Sequence, residues 1–143
     1  MVNIYVILNP NAKKFRTNRS SIKSYELIDY PGLKLFSPDN TSDLETIIAR
    51  AYKDKPDYIC VGGGDGTIHL VITLLLNSFK NEKIPPFLIL KEGTMDNIAR
   101  TINLEGTGGE IIRRLVKAVR NGENIKTFRR DTIRVDDKYC FLF

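Results

Sequence analysis

Short apolar runs and longer stretches with one apolar face alternate along this chain. Val2 to Leu8, Leu33 to Phe36, Tyr58 to Val61 and Phe87 to Leu90 are of strand length and mostly apolar, which predicts strands buried on both sides. Between them the apolar positions take helical spacing. Leu44, Ile47, Ile48 and Ala51 fall at i, i+3, i+4 and i+7, and Ile68, Val71, Ile72 and Leu75 repeat the pattern. Ile111, Ile112, Leu115, Val116 and Val119 mark a further amphipathic helix, with Arg113, Lys117 and Arg120 outside and Asn121-Gly122 as its stop. Shorter helices are expected over Ser20 to Ile28 and Asp96 to Thr101. Ser37-Pro38-Asp39-Asn40 closes the second run, Ser42-x-x-Glu45 reads as the capping box of the next helix, and Pro56 ends that helix. The rhythm then changes: Ile125 to Val135 and Lys138 to Phe143 read as two strands joined by a hairpin turn at Asp136-Asp137.

Strand alternating with helix predicts an α/β fold of three layers, α/β/α, with helices on both faces of a mainly parallel sheet. Ligands of such sheets bind beyond the carboxyl ends of the strands. Two small-residue turns stand at that edge, Gly62-Gly63-Gly64-Asp65-Gly66-Thr67 after the third strand and Gly93-Thr94 after the fourth. The last strand, Tyr139-Cys140-Phe141-Leu142-Phe143, is apolar without a polar tail and needs partners, so the 143 residues are expected to be a piece of a longer protein.

Composition narrows the chemistry. With 42% apolar and 27% charged residues the chain has the makings of a real core. The N-terminus lacks a basic region and a cleavage site and reads as a first strand, and Val71 to Leu76 falls far short of the roughly 20 residues of a membrane span. Cys60 and Cys140, both in expected strands, suit free thiols of a reducing cytoplasm. His69 is the only histidine, which excludes histidine metal clusters and leaves a Ser-His-Asp triad a poor candidate. A net charge of +5 gathers at Lys13, Lys14, Arg16 and Arg19 and again from Arg113 to Arg134, as suits phosphate-bearing partners or a solvated surface alike. No nucleic-acid motif or aromatic interleaving accompanies it, so no nucleic-acid partner is expected.

Glycine takes four of the five positions from Gly62 to Gly66. Without Cβ it lets backbone N–H groups approach an anion, and the following helix N-terminus adds partial positive charge. Asp65, the single acid there, suits a metal ion or a hydroxyl proton. The plainer alternative is a tight turn in which Asp65 caps the helix. Four glycines exceed what such a turn requires, which favours a phosphate site.

Asn9-Pro10-Asn11-Ala12, Gly63-Gly64-Asp65-Gly66-Thr67, and Gly93-Thr94 followed by an Asp/Asn pair and Ile98-Ala99-Arg100 stand in a telling order and spacing. Over about Val2 to Phe143 these motifs closely resemble the catalytic domain of the diacylglycerol kinase family of lipid kinases, which also includes sphingosine and ceramide kinases. The nucleotide-binding domain of that family is similar to those of NAD kinase and the ATP-dependent phosphofructokinases. The resemblance implies an α/β domain over residues 1–123 that binds ATP and magnesium. It makes residues 124–143 the opening β-hairpin of an incomplete second domain, the β-sandwich that completes the cleft and much of the lipid site.

Carried over by position, the resemblance puts Asn9, Pro10, Asn11, Gly63, Gly64, Gly66, Thr67, Gly93 and Thr94 on the nucleotide, although Asn9 and Asn11 alone read as turn formers. It makes Asp65 the catalytic acid, either holding magnesium or accepting the proton of the attacking hydroxyl. The family's Ser-Gly-Lys is replaced by Ala12-Lys13-Lys14, where either lysine reaches a phosphate or faces solvent. Ile68-His69-Leu70 stands where an apolar residue, Asn and Glu are common, so a carboxylate one turn beyond the loop is missing. Gly93-Thr94-Met95-Asp96-Asn97 exchanges the acid and amide of the usual Gly-Thr-x-Asn-Asp, turning the acid by about 100° or leaving it as a helix cap. Lys91-Glu92 brings charge where the family is mostly neutral, and Glu92 is a candidate for the lost acid.

The expectation is the nucleotide-binding part of a cytoplasmic ATP-dependent lipid kinase. The full-length protein would associate peripherally with the membrane that holds its lipid acceptor, while this piece alone would bind nucleotide weakly and turn over little. A kinase of a soluble acceptor, such as NAD or a sugar phosphate, is one alternative. A non-catalytic nucleotide sensor is another, suggested by Leu70 and the Asp96-Asn97 exchange.

Overall fold

Parallel strands require long crossovers, and a sheet covered on both faces needs apolar side chains on both. Both conditions are met in the computed structural model, which describes residues 1–18, 20–80, 82–92, 100–101 and 103–141. Strands β1 (Ile4–Leu8), β2 (Leu33–Phe36), β3 (Tyr58–Gly63) and β4 (Phe87–Lys91) form one sheet in the order β2-β1-β3-β4, with every neighbouring pair parallel. The helices bounded among the described residues are α1 (Lys13–Thr17), α2 (Ser20–Glu26), α3 (Thr41–Asp54), α4 (Asp65–Phe79) and α5 (Gly108–Arg120). An antiparallel hairpin follows, β5 (Thr132–Val135) and β6 (Lys138–Phe141). This is the expected mainly parallel α/β architecture.

All five residues of β1 are buried, and the two-residue period of the strand divides them between two cores. Tyr5 and Ile7 pack with Leu44, Ile48, Val71 and Leu75 of α3 and α4. Ile4, Val6 and Leu8 pack with Phe15, Tyr25, Ile112 and Val116 of α1, α2 and α5. The sequence leaves α1 unannounced: it is a helical turn of the basic stretch, held down by buried Phe15.

The helix starts correct one expectation. Asn40, in extended backbone, caps α3 by accepting from Asp43 N at 3.0 Å. Ser42 therefore lies inside the helix, and the box expected at Ser42 and Glu45 does not begin it. The capping box instead belongs to α5, where Thr107 Oγ1 accepts from Glu110 N at 3.3 Å and Glu110 Oε2 from Thr107 N at 2.7 Å. At its far end α3 stops at Lys55, in left-handed backbone with φ of 45°, immediately before Pro56.

The strand expected from Ile125 begins only at Thr132, the stretch before it being polar and largely exposed. The apolar side of β6 finds partners within the chain. Thr73 Oγ1 on α4 accepts from Tyr139 N at 2.8 Å and donates to Tyr139 O at 3.1 Å, and Phe141 lies 6.4 Å from Phe87 between ring centres.

Three acidic hydrogens are held inside this fold. Burial raises the Cys60 thiol, and burial with the Glu92 hydrogen bond raises the Tyr25 phenol. Tyr5 is pushed up to about 12 by burial and then by Asp54, to which its hydroxyl donates. Groups raised in the fold contribute their stability in full below their unfolded values, near 9.0 for the thiol and 10.0 for the phenols, and lose it as pH climbs above them. Urea unfolding should accordingly show stability falling from about pH 9 upward. In Tyr25→Phe that decline should be shallower above about pH 10; an unchanged slope would show that Tyr25 is not buried as described.

Candidate functional site

Strand order places the site. From β1 the chain passes to β2 on one side and then to β3 on the other, so the order reverses between β1 and β3, where open α/β sheets bind ligands. Leu8 pairs with Gly62, and Asn9 N donates to Gly62 O at 2.8 Å, extending the ladder past the end of β1. Asn9 Nδ2 then donates to Thr67 Oγ1 at 2.8 Å, while Asn9 Oδ1 accepts from Asn11 N at 2.9 Å. One side chain thus folds its own loop as an Asx turn and fastens that loop to the first turn of α4.

The four glycines are of two kinds. Gly62 and Gly63 are buried in β3, where a Cβ would stand 2.6 Å from Leu8 Cδ2 and 2.7 Å from Thr67 Cβ respectively. Gly64 and Gly66 have nothing within 4 Å of such a Cβ. None has positive φ; among the described residues the left-handed glycines are Gly106 and Gly122. The turn therefore does not need glycine for its backbone shape. Glycine keeps the interior close-packed on one side and the backbone bare on the other, at the N-terminus of a 15-residue helix.

Gly64 is the N-cap of α4, so the reading of Asp65 as its cap is corrected: Asp65 is the first helical residue. It is half-buried, with Oδ1 shielded from solvent. Among the described residues no three His, Cys, Asp or Glu side chains gather as a metal cage. Magnesium does not require one, because it keeps waters and binds through one or two carboxylates and substrate phosphates, and the hard oxygen of Asp65 fits that role.

Beside the turn an open groove of about 210 Å³ is lined by Asn9, Asn11, Asp39, Thr41, Thr67 and Leu70, among others. Leu70, 38% exposed, gives it an apolar wall in place of the missing carboxylate. His69 turns toward the hairpin, its ring 6.5 Å from that of Phe141. A larger groove of about 280 Å³ between the end of α2 and α5 carries Leu27, Arg113, Lys117 and Arg120 and includes none of the turn residues.

The lysine and the spare acid behave otherwise than the sequence suggests. Lys14 Nζ lies 3.0 Å from Glu92 Oε2 and donates to Lys91 O at 2.9 Å, and Tyr25 donates its hydroxyl to Glu92 Oε1. Glu92 is only 2% exposed. It does not replace the lost acid on the open side of the turn, because a buried carboxylate is held by the partners that compensate its desolvation. Lys13 remains exposed. Gly93, Thr94, Met95, Asp96 and Asn97 lie outside the described residues. Sequence reasoning missed Tyr25 altogether, and no local signal marks it.

Asn9→Ala removes both side-chain ties of the loop. We expect a loss of about 1–2 kcal/mol in urea unfolding, with Thr67→Val adding little further loss in the double variant; fully additive losses would show that the two side chains are not bonded.

Residues 3–127 match the family described as diacylglycerol kinase catalytic domain. No curated protein matches the chain. A solved diacylglycerol kinase from Bacillus anthracis str. Sterne superposes with a TM-score of 0.66 at 21% identity, over 96% of this chain and 45% of that one. Two further structures from that organism, named as diacylglycerol kinases only provisionally, give TM-scores of 0.55 and 0.58 at 23% and 24% identity. Each covers 80% of this chain, which spans 42% and 41% of theirs. At such identities the likeness speaks to the fold, and the chain spans less than half the length of these proteins. The family match runs unbroken from β1 through α5, and on that extent the chain belongs to the diacylglycerol kinase catalytic-domain family, a family of kinases.

Proposed function

We propose that this chain provides the ATP site of a lipid kinase, with residues 1–123 as the nucleotide-binding domain and residues 124–143 opening a second, β-sandwich domain. The observation that carries this reading is the bare backbone at Gly64 and Gly66 on the N-terminus of α4, with Asp65 in its first turn. Phosphates lie over those glycines, drawn by amide N–H groups and the helix dipole. Asn9, Pro10, Asn11 and Thr67 line the nucleotide from the β1 side, and Gly63 leaves room for Thr67. By their match to the family motif Gly93 and Thr94 also belong to the nucleotide site in this reading. The apolar wall at Leu70 suits the base or ribose better than a metal.

Phosphoryl transfer needs positioning and charge neutralisation more than covalent chemistry from the protein. The acceptor hydroxyl oxygen bonds to the γ-phosphorus as the bond from that phosphorus to the β,γ-bridging oxygen breaks, and ADP leaves. Asp65 takes the hydroxyl proton if it acts as base; if it instead holds magnesium, the proton passes to water. Magnesium, when bound, neutralises charge on the phosphate oxygens. No helix among the described residues is long and apolar enough to cross a membrane. In this reading the protein is cytoplasmic and meets its lipid acceptor peripherally, at the membrane surface.

Two measurements test the proposal. In the full-length protein, Asp65→Asn should lower turnover by about 10²-fold or more while ATP affinity stays within about threefold. Unchanged activity would favour a nucleotide sensor, for which Leu70 in place of an acid is the supporting observation. Separately, incubation with γ-labelled ATP and a lysate should deliver label to the organic phase on extraction. Label confined to the aqueous phase would point to a soluble acceptor instead.

A further inference from the structure

On the α1, α2 and α5 side of the sheet, beneath the glycine turn, lies a buried carboxylate for which phosphoryl transfer has no use. Glu92 directly follows β4, and its Cγ would stand 3.3 Å from a Cβ placed on Gly62, so it lies against the start of the turn. A Cβ on Gly108, at the N-terminus of α5, would overlap both the Glu92 carboxylate and the Tyr25 hydroxyl, so the pocket around the acid is closed. Among the described residues its paired cation is Lys14, at 3.0 Å.

The strand order makes this pairing a long reach. Lys14 belongs to the segment after β1, and its partners Lys91 and Glu92 stand at the end of β4, two strands away. β3, whose exit is the glycine turn, lies between β1 and β4 in the sheet. Lys91 is the ladder partner of Gly63, which puts the ammonium within about two strand spacings, ~10 Å, of the turn. Its ammonium donates to Lys91 O and lies 3.0 Å from Glu92 Oε2, yet the Lys14 side chain is 41% exposed. It is a cation beside a phosphate site, reachable from solvent, with its charge already matched by a buried acid.

We propose that Glu92 withholds Lys14 from the nucleotide and thereby sets phosphate affinity at the glycine turn. This rests on the reading of that turn as a phosphate site. A phosphate that recruits Lys14 strips a buried carboxylate of its counter-ion and approaches a like charge, and both effects oppose binding. Removing the acid's charge frees the lysine for the phosphates.

The test is calorimetric titration of the full chain with inorganic tripolyphosphate and with ATP, at low and physiological salt. Glu92→Gln, which retains an acceptor for Tyr25, should bind both ligands about 5- to 20-fold tighter, the lower part of the usual coupling range because Lys14 is partly solvated. K14Q/E92Q should lose that gain. Glu92→Met, similar in volume and without charge, leaves Lys14 to the solvent that already reaches it; it should reproduce the gain and serves if the amide variant does not fold. Equal or weaker binding by a folded charge-free variant overturns the proposal, as does a gain that persists without Lys14. Binding by neither wild type nor variant overturns the phosphate-site reading and this inference with it.

Discussion

β1 and β3 pair to their carboxyl ends, Leu8 against Gly62, and the missing side chain at position 62 leaves room for Leu8. Leu8 occupies the space a Cβ would need, 2.6 Å from its Cδ2. With any larger residue the Leu8 side chain would have to shift, at the exits where Asn9 N bonds to Gly62 O and Asn9 reaches Thr67. The next glycine, Gly63, seats Thr67, to which Asn9 ties the β1 loop, so two adjacent glycines set the approach of that loop to α4. A buried strand tolerates little change of volume, so the constraint is steric before it is chemical.

The two edges of the sheet treat charge differently. At the amino edge Asp54 collects the Tyr5 hydroxyl, Lys34 at 3.2 Å and Arg50 at 3.4 Å, and the Tyr5 bond first, then Lys34, holds its carboxyl below the usual range. That cluster is half open to water, where ion pairs contribute little. At the carboxyl edge Glu92 is enclosed, so its partners are not interchangeable with water. Helix α1 is short and weakly capped, and its position rests on Phe15 below and Lys14 across the edge.

Much of the scaffold was legible in advance. Strand-length apolar runs located all four parallel strands, because a strand buried on both faces cannot carry polar alternation. The helical spacing of Leu44 to Ala51, Ile68 to Leu75 and Ile111 to Val119 located α3, α4 and α5. Capping was less legible: Ser42-x-x-Glu45 and Thr107-x-x-Glu110 look alike as strings, and only the second closes, since Asn40 starts α3 ahead of Ser42. The hairpin was read too long because apolar Ile125 stands in a charged stretch with no strand beside it.

The sequence by itself determined the layers, the glycine turn and the presence of Asp65 at the mouth of a helix, since these depend on residue type and local spacing. Tertiary structure decided which glycines are compressed and which are bare, that Gly64 rather than Asp65 caps α4, and that Lys14 answers to Glu92. The reason is distance along the chain. Lys14 and Lys91 are 77 residues apart, and only the packing of the segment after β1 against the end of β4 brings them to 2.9 Å.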